Sequence, residues 1–148
     1  MNSKFLPDYS DVENAHEIII KYAHRTHVLT SSGINKIVGA DLHFKCENFQ
    51  KVGAFKFRGA CNAVFSLSQE EMEMGVATHS SGNHAAALAL AAKMRGIPAY
   101  IVMPETSPEI KKKAVAGYGA KITFCKPTLQ ARESTLAQVV KETGATEI

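Results

Sequence analysis

Apolar residues first recur at helical spacing in Val12, Ala15, Ile19 and Tyr22, behind the capping-box pattern Ser10-Asp11-Val12-Glu13, which predicts a helix over residues 11 to 23. Thr26 to Thr30 is a short β-prone run, Ser31-Ser32-Gly33 a turn, and Ile34 to Val38 one or two helical turns ending at Gly39. Asp41 to Cys46 alternates polar and apolar positions as a strand does. A polar loop then turns at Gly53, and Phe57, Ala60, Val64 and Leu67 fall on one helical face.

A second capping box, Ser68-Gln69-Glu70-Glu71, opens a short acidic helix, after which the pattern becomes regular. Gly75 to His79 is predicted as a strand, Asn83 to Arg95 as an alanine-rich helix stopped by Gly96, and Pro98 to Met103 as an apolar strand. Thr106-Ser107-Pro108-Glu109 is expected to cap the next helix, which Gly117-Tyr118-Gly119 ends. Lys121 to Cys125 is a strand, and Thr128 opens a helix with Leu129, Arg132, Leu136, Val139 and Val140 on one face, closed by Gly144. Another strand would begin at Thr146-Glu147-Ile148. Strands alternating with helices over short connections imply βαβ crossovers, so the fold class is α/β with an open parallel sheet.

Composition changes this picture little. With 148 residues, 45% hydrophobic and 21% charged, the chain can bury a real core as a soluble protein. The net charge of +3 is scattered apart from Lys111-Lys112-Lys113, which reads as a solvated helix face; no nucleic-acid motif accompanies it. Cys46, Cys61 and Cys125 are far apart and odd in number, and read as buried thiols of a reducing compartment. His16, His24, His27 and His43 lack ligand spacing, so no metal site is expected. The N-terminus lacks the apolar run of a targeting peptide, and Ala85 to Ala92 is too short to span a bilayer, so the expected location is cytoplasmic.

The chemistry concentrates in Lys45 to Ala60. Lys56 is predicted in the first turn of a helix, where the backbone dipole disfavours a cation. Flanked by Phe55 and Phe57, with Lys51 and Arg58 close in sequence, its amine has a setting that lowers a pKa and favours Schiff-base formation. The plainer reading is a surface lysine whose stem lies on a phenylalanine and whose ammonium sits in water. A second motif, Ser80-Ser81-Gly82-Asn83-His84, lies between a strand and a helix start. Free N–H groups and the positive helix end suit an anion there, with Gly82 allowing close backbone approach. A serine cap followed by a glycine turn accounts for the same residues.

Phe55-Lys56-Phe57-Arg58-Gly59-Ala60, preceded by Lys45-Cys46-Glu47 and followed by Ser80-Ser81-Gly82-Asn83-His84, resembles the pyridoxal-phosphate enzymes of the threonine dehydratase and serine racemase family, of fold-type II. The resemblance runs from about Ser10 to the last residue, and two motifs in the right order are more specific than either alone. It implies the tryptophan synthase β-like fold, with pyridoxal 5'-phosphate carried on Lys56. It implies that Phe55 and Asn83 contact the cofactor, Asn83 at the phenolic oxygen, and that Ser80, Ser81, Gly82, Asn83 and His84 hold the substrate carboxylate. Ser81 is implied as the proton-transfer residue on the face opposite the lysine. The implied reaction is dehydration of L-threonine or L-serine to a 2-oxo acid and ammonia, with serine racemisation through the same Cα carbanion, and the implied assembly is a homo-oligomer acting on small amino acids. A related β-replacement enzyme such as a cysteine synthase fits less well, because Phe57-Arg58-Gly59-Ala60 follows the dehydratase pattern.

Departures matter too. Ala54 stands where serine is usual, and Ala85-Ala86 where the family has Gly-Gln. Ser31, Ser32, Lys51 and Tyr118 match residues that contact ATP in nucleotide-activated racemases, but Val52 and Ala86 replace polar partners, which argues against nucleotide regulation. The phosphate-gripping glycine loop, the partner of the pyridine nitrogen and the acidic ligands of a divalent metal belong to a later half, and the family runs to about twice this length. The expectation is that residues 69 to 148 form a nearly complete small domain and residues 1 to 68 begin a larger one. The rival expectation is a truncated, non-catalytic paralogue acting as a binding or interaction module.

Overall fold

The computed structural model describes residues 6–148. Seven α-helices and six strands are formed among them: α1 Tyr9–Ile19, β1 Val28–Leu29, α2 Ser32–Val38, β2 Phe44–Lys45, α3 Lys56–Phe65, α4 Gln69–Met74, β3 Val76–His79, α5 Asn83–Arg95, β4 Ala99–Pro104, α6 Glu109–Gly117, β5 Lys121–Cys125, α7 Leu129–Thr143 and β6 Thr146–Glu147. Two 3-10 turns, Glu47–Phe49 and Lys51–Gly53, join β2 to α3.

The architecture is α/β. Four parallel strands run in the order β5-β4-β3-β6, and β1 and β2 make a separate antiparallel pair with Leu29 opposite Phe44. Side chains alternate across the sheet because successive strand residues point to opposite faces. Val76, Ala99, Ile101 and Met103 face a core shared with α3 and α5, whereas Ala77, Val102 and Cys125 face Leu136 and Val139 of α7. The chain therefore covers the sheet with helices on both faces, as a parallel sheet requires.

Helix α5 is the centre of the first core. Its residues Ala85 to Ala89, Ala91 and Ala92 are buried, so it is apolar on all sides and lies between the sheet and α3. Small side chains let α3 come close, and Phe57, Cys61 and Val64 of α3 fill the remaining space with no exposure to solvent. Arg95, at the end of α5, donates from Nη1 to the Val64 carbonyl and from Nη2 to that of Leu67 at 2.8 Å, tying the last turn of α3 and the residues after it to α5. Gly75 enters β3 at φ +81, and a Cβ there would lie 2.4 Å from the Pro98 carbonyl oxygen. Only glycine fits this crossing of backbones.

The helix starts follow the expected boundaries unevenly. Helix α1 begins at Tyr9, not at 11, because the Asp8 carboxylate accepts from Ser10 N–H and Asp11 N–H while Asp11 returns a bond to Asp8 N–H. The box is Asp8 with Asp11, and Ser10-to-Glu13 is not used. Helix α6 has no side-chain cap: Pro108 holds the cap position, and the Ser107 hydroxyl is buried without a partner. The box at Ser68 and Glu71 forms as expected. Of the three cysteines, Cys61 and Cys125 are buried, while Cys46 is half-buried and bonds to the Phe44 carbonyl. No described helix is long and apolar enough to cross a membrane.

Candidate active site

Lys56 is the first residue of α3, at the place its sequence setting predicted. Phe55 in the cap position gives the helix no side-chain cap, so the first-turn N–H groups stay unpartnered by a side chain. The lysine is exposed, with Nζ 5.2 Å from the centroid of the Phe55 ring. This is the cation-over-ring arrangement of the plainer reading, and it leaves the amine open to a ligand from the solvent side.

The loop that delivers Lys56 is held by partly buried polar contacts. Glu47 accepts from Arg58 through Nε at 2.9 Å and Nη2 at 2.7 Å, and from the Thr26 hydroxyl at 2.6 Å. The paired guanidinium is the main reason the Glu47 carboxyl falls from its ordinary 4.5 to about 2, while the same pairing raises Arg58. Lys45 Nζ donates to the Thr26 carbonyl at 2.7 Å. Gln50, only 3% exposed, accepts from the backbone N–H of His24 and Lys51 and donates to the His24 carbonyl. Arg58 is thus occupied by Glu47 and, from Nη2 at 3.2 Å, by the His24 carbonyl. Beyond this clamp, Val52 at φ 57 and Gly53 at φ 69 turn the chain sharply into α3. A left-handed conformation is costly for a β-branched residue, so the surrounding contacts hold Val52 in it.

The second motif leaves the C-terminal end of β3. Ser80 N–H donates to the Val102 carbonyl, and its hydroxyl accepts from Gly82 N–H at 3.3 Å. Ser81 is exposed. Gly82 caps α5 without a side-chain bond, and a Cβ added there would meet nothing within 4 Å. Packing within the described chain therefore does not require glycine, and room is left beside the uncapped helix end. Asn83 accepts at Oδ1 from Lys111 Nζ at 2.9 Å, and His84 donates from Nε2 to the Ile148 carbonyl at 3.1 Å. Phe55, Lys56, Arg58, Gly59, Ala60 and His84 line one cleft of about 290 Å³. Of the second motif, His84 thus borders the same space as Lys56, while Ser80, Ser81, Gly82 and Asn83 are not among the residues that line it.

This donor set fits pyridoxal phosphate in part: a solvent-facing primary amine, an amide, and a helix N-terminus open to a carboxylate. Ser31, Ser32, Lys51 and Tyr118 are not gathered in the same way. Ser31 caps α2 through Ile34 N–H, Ser32 is exposed, Lys51 lies 5.8 Å from the Phe57 ring, and Tyr118 packs against the α5 core. They share no hydrogen bond among the described residues. Sequence reading missed Thr26, Gln50 and the Glu47–Arg58 pair, and took Lys111 as a solvated lysine. Opposite charges at Glu47 and Arg58 beside the lysine were the signal for the pair; nothing local marked Lys111.

Residues 19–148 match the family described as pyridoxal-phosphate dependent enzyme. Among curated proteins, the chain is 54% identical over 132 residues to serine racemase of Dictyostelium discoideum, covering 89% of this chain and 41% of that protein. It is 53% identical to the beta-hydroxyaspartate dehydratase of Paracoccus denitrificans, over 95% of this chain and 44% of the relative. Among solved structures, maize serine racemase superposes with a TM-score of 0.95 at 49% identity, over 97% of this chain and 44% of that one. A threonine deaminase from T.th. gives 0.87 at 37% identity, over 96% of this chain and 44% of that one. The chain spans less than half the length of the relatives it matches.

Proposed function

Because the chain belongs to the family of pyridoxal-phosphate dependent enzymes, we propose that it supplies the catalytic lysine and the substrate-carboxylate loop of an enzyme that removes the Cα proton of a small β-hydroxy amino acid. Dehydration of L-serine or L-threonine to a 2-oxo acid and ammonia and racemisation of serine are its two outcomes. Residues 69 to 148 form the small domain of that enzyme and residues 1 to 68 the start of the larger one. The observation that carries the reading is the shared cleft bordered by Lys56 and His84.

When bound, pyridoxal phosphate supplies an electron sink conjugated to the substrate's Cα. Lys56 would hold the cofactor through its amine and would act as the base that takes the Cα proton. The N–H groups at the start of α5 bind the carboxylate, which fixes which Cα bond faces Lys56. Ser81, exposed on the loop preceding α5, delivers a proton to Cα from the other side, which inverts configuration. Loss of the Cα proton together with the β-hydroxyl, as one water, would leave a dehydrated amino acid that takes up water to give the 2-oxo acid and ammonia.

Two variants of the protein test this. Borohydride reduction with pyridoxal phosphate should place one reduced adduct on the peptide carrying Lys56, and K56A should lose both adduct and turnover. S81A should lower racemisation of L-serine by about a hundredfold or more while keeping most dehydration of the L-isomer, since removal of one positioned acid–base group costs about that much. Absence of the adduct, or equal loss of both reactions in S81A, defeats the respective assignment.

A further inference from the structure

The basic run in α6 is divided in its contacts. Lys112 is occupied within its own element and loop, donating to the Glu105 carbonyl at 2.7 Å and to Glu109 at 2.8 Å, and Lys113 is exposed. Lys111 instead leaves its helix: its half-buried side chain crosses to α5, where Nζ donates to Asn83 Oδ1 at 2.9 Å.

The direction of that bond carries information. A side-chain amide has an acceptor end and a donor end of nearly equal shape, and an isolated asparagine presents either to a ligand. Lysine is a donor only. Its ammonium therefore demands the oxygen of Asn83 and leaves the NH₂ group, which has no partner among the described residues, to face elsewhere. An NH₂ donor is attracted by a phenolate oxygen, whereas the amide oxygen would repel it. The ammonium also strengthens the pair, because a charged donor polarises the amide it binds.

We propose that Lys111 is a positioning residue that locks the Asn83 amide with its NH₂ group toward the phenolic oxygen of pyridoxal phosphate, an assignment that rests on the site reading given above for Asn83. Lys111 need not touch the cofactor; it selects which end of Asn83 does.

The test compares affinities of the protein for pyridoxal phosphate and for 3-deoxypyridoxal phosphate, the analogue without the phenolic oxygen, by absorbance titration. K111M should weaken binding of pyridoxal phosphate about tenfold, as loss of a charge-assisted hydrogen bond does, and leave the analogue's affinity unchanged. K111R should restore the discrimination, and K111M combined with N83A should bind no more weakly than N83A alone. Unfolding midpoints of the variants separate loss of fold from loss of positioning. If N83A loses the preference for cofactor over analogue but K111M keeps it, the proposal is overturned while the site reading stands. If N83A keeps the full preference for cofactor over analogue, the reading of Asn83 falls and this proposal with it.

Discussion

At the scale of single residues, the most consequential charge is one that performs no chemistry. Glu47 is held near a pKa of about 2, first by its hydrogen bonds from Arg58, against an ordinary value of 4.5. A carboxyl depressed on folding adds stability above its unfolded pKa and loses it as pH falls through the folded one. That stability is complete above about pH 5 and is lost between about pH 4.5 and 2, an effect on the order of 1 to 3 kcal/mol for a side chain 19% exposed. Denaturant unfolding of E47Q and the parent as a function of pH checks this. E47Q should be less stable at pH 7, and the gap should close as pH approaches 2. An unchanging gap would assign the loss to packing. Because Arg58 follows Lys56 by two positions, the same variant should also shift Lys56 and reduce adduct formation.

Elements show where the sequence was readable. Helix α5 begins at Asn83 and ends at Arg95 as its composition predicted, since an uninterrupted alanine-rich run ending at glycine leaves no rival boundary. Lys56 at the start of α3 and the loop from Ser80 to His84 were legible for the same reason: each lies where a periodic pattern begins. The start of α1 was not, because Asp8 and Ser10 each have an acidic residue three positions later. Only the folded chain decides between two such boxes. Glu47 with Arg58 and Asn83 with Lys111 join residues 11 and 28 positions apart, and no local periodicity encodes such pairs. Two stability measurements belong to this scale. G75A should cost about 3 kcal/mol or more, since it combines φ +81 with a Cβ 2.4 Å from the Pro98 carbonyl oxygen. S68A removes the cap of α4 and should cost only about 1 kcal/mol. Chemical denaturation that ranked the two in the reverse order would show that α4 is anchored otherwise.

For the whole molecule, the distribution of apolar surface is uneven. Val28, Leu29, Ile37, Val38, Phe44 and Phe49 are all more than two-fifths exposed and lie in the segment that the proposed larger domain would cover, whereas β3, β4 and α5 are enclosed. Exposed apolar residues concentrated in one segment mark a contact surface. The 148-residue chain should therefore bind an apolar dye and self-associate, and a chain extended to the length of its serine racemase relatives should do neither. Dye fluorescence and light scattering, run side by side on the two, decide whether residues 1 to 68 begin a larger unit or close on themselves.

The parallel sheet separates two kinds of surface. The loop from Ser80 to His84 leaves the C-terminal end of β3, while the turns at Gly96, Gly119 and Gly144 return the chain to the other end of the sheet. A helix of 13 residues stands between Asn83 and Gly96, which puts about 20 Å between the two. That distance makes the glycine end a place for a fluorophore, an affinity handle or a crosslinker that leaves the cleft alone. Gly96 has nothing within 4 Å of an added Cβ, but its left-handed φ favours attachment at the exposed Lys121, which opens β5 at the same end of the sheet. A label there could follow cofactor arrival from outside the site it reports on.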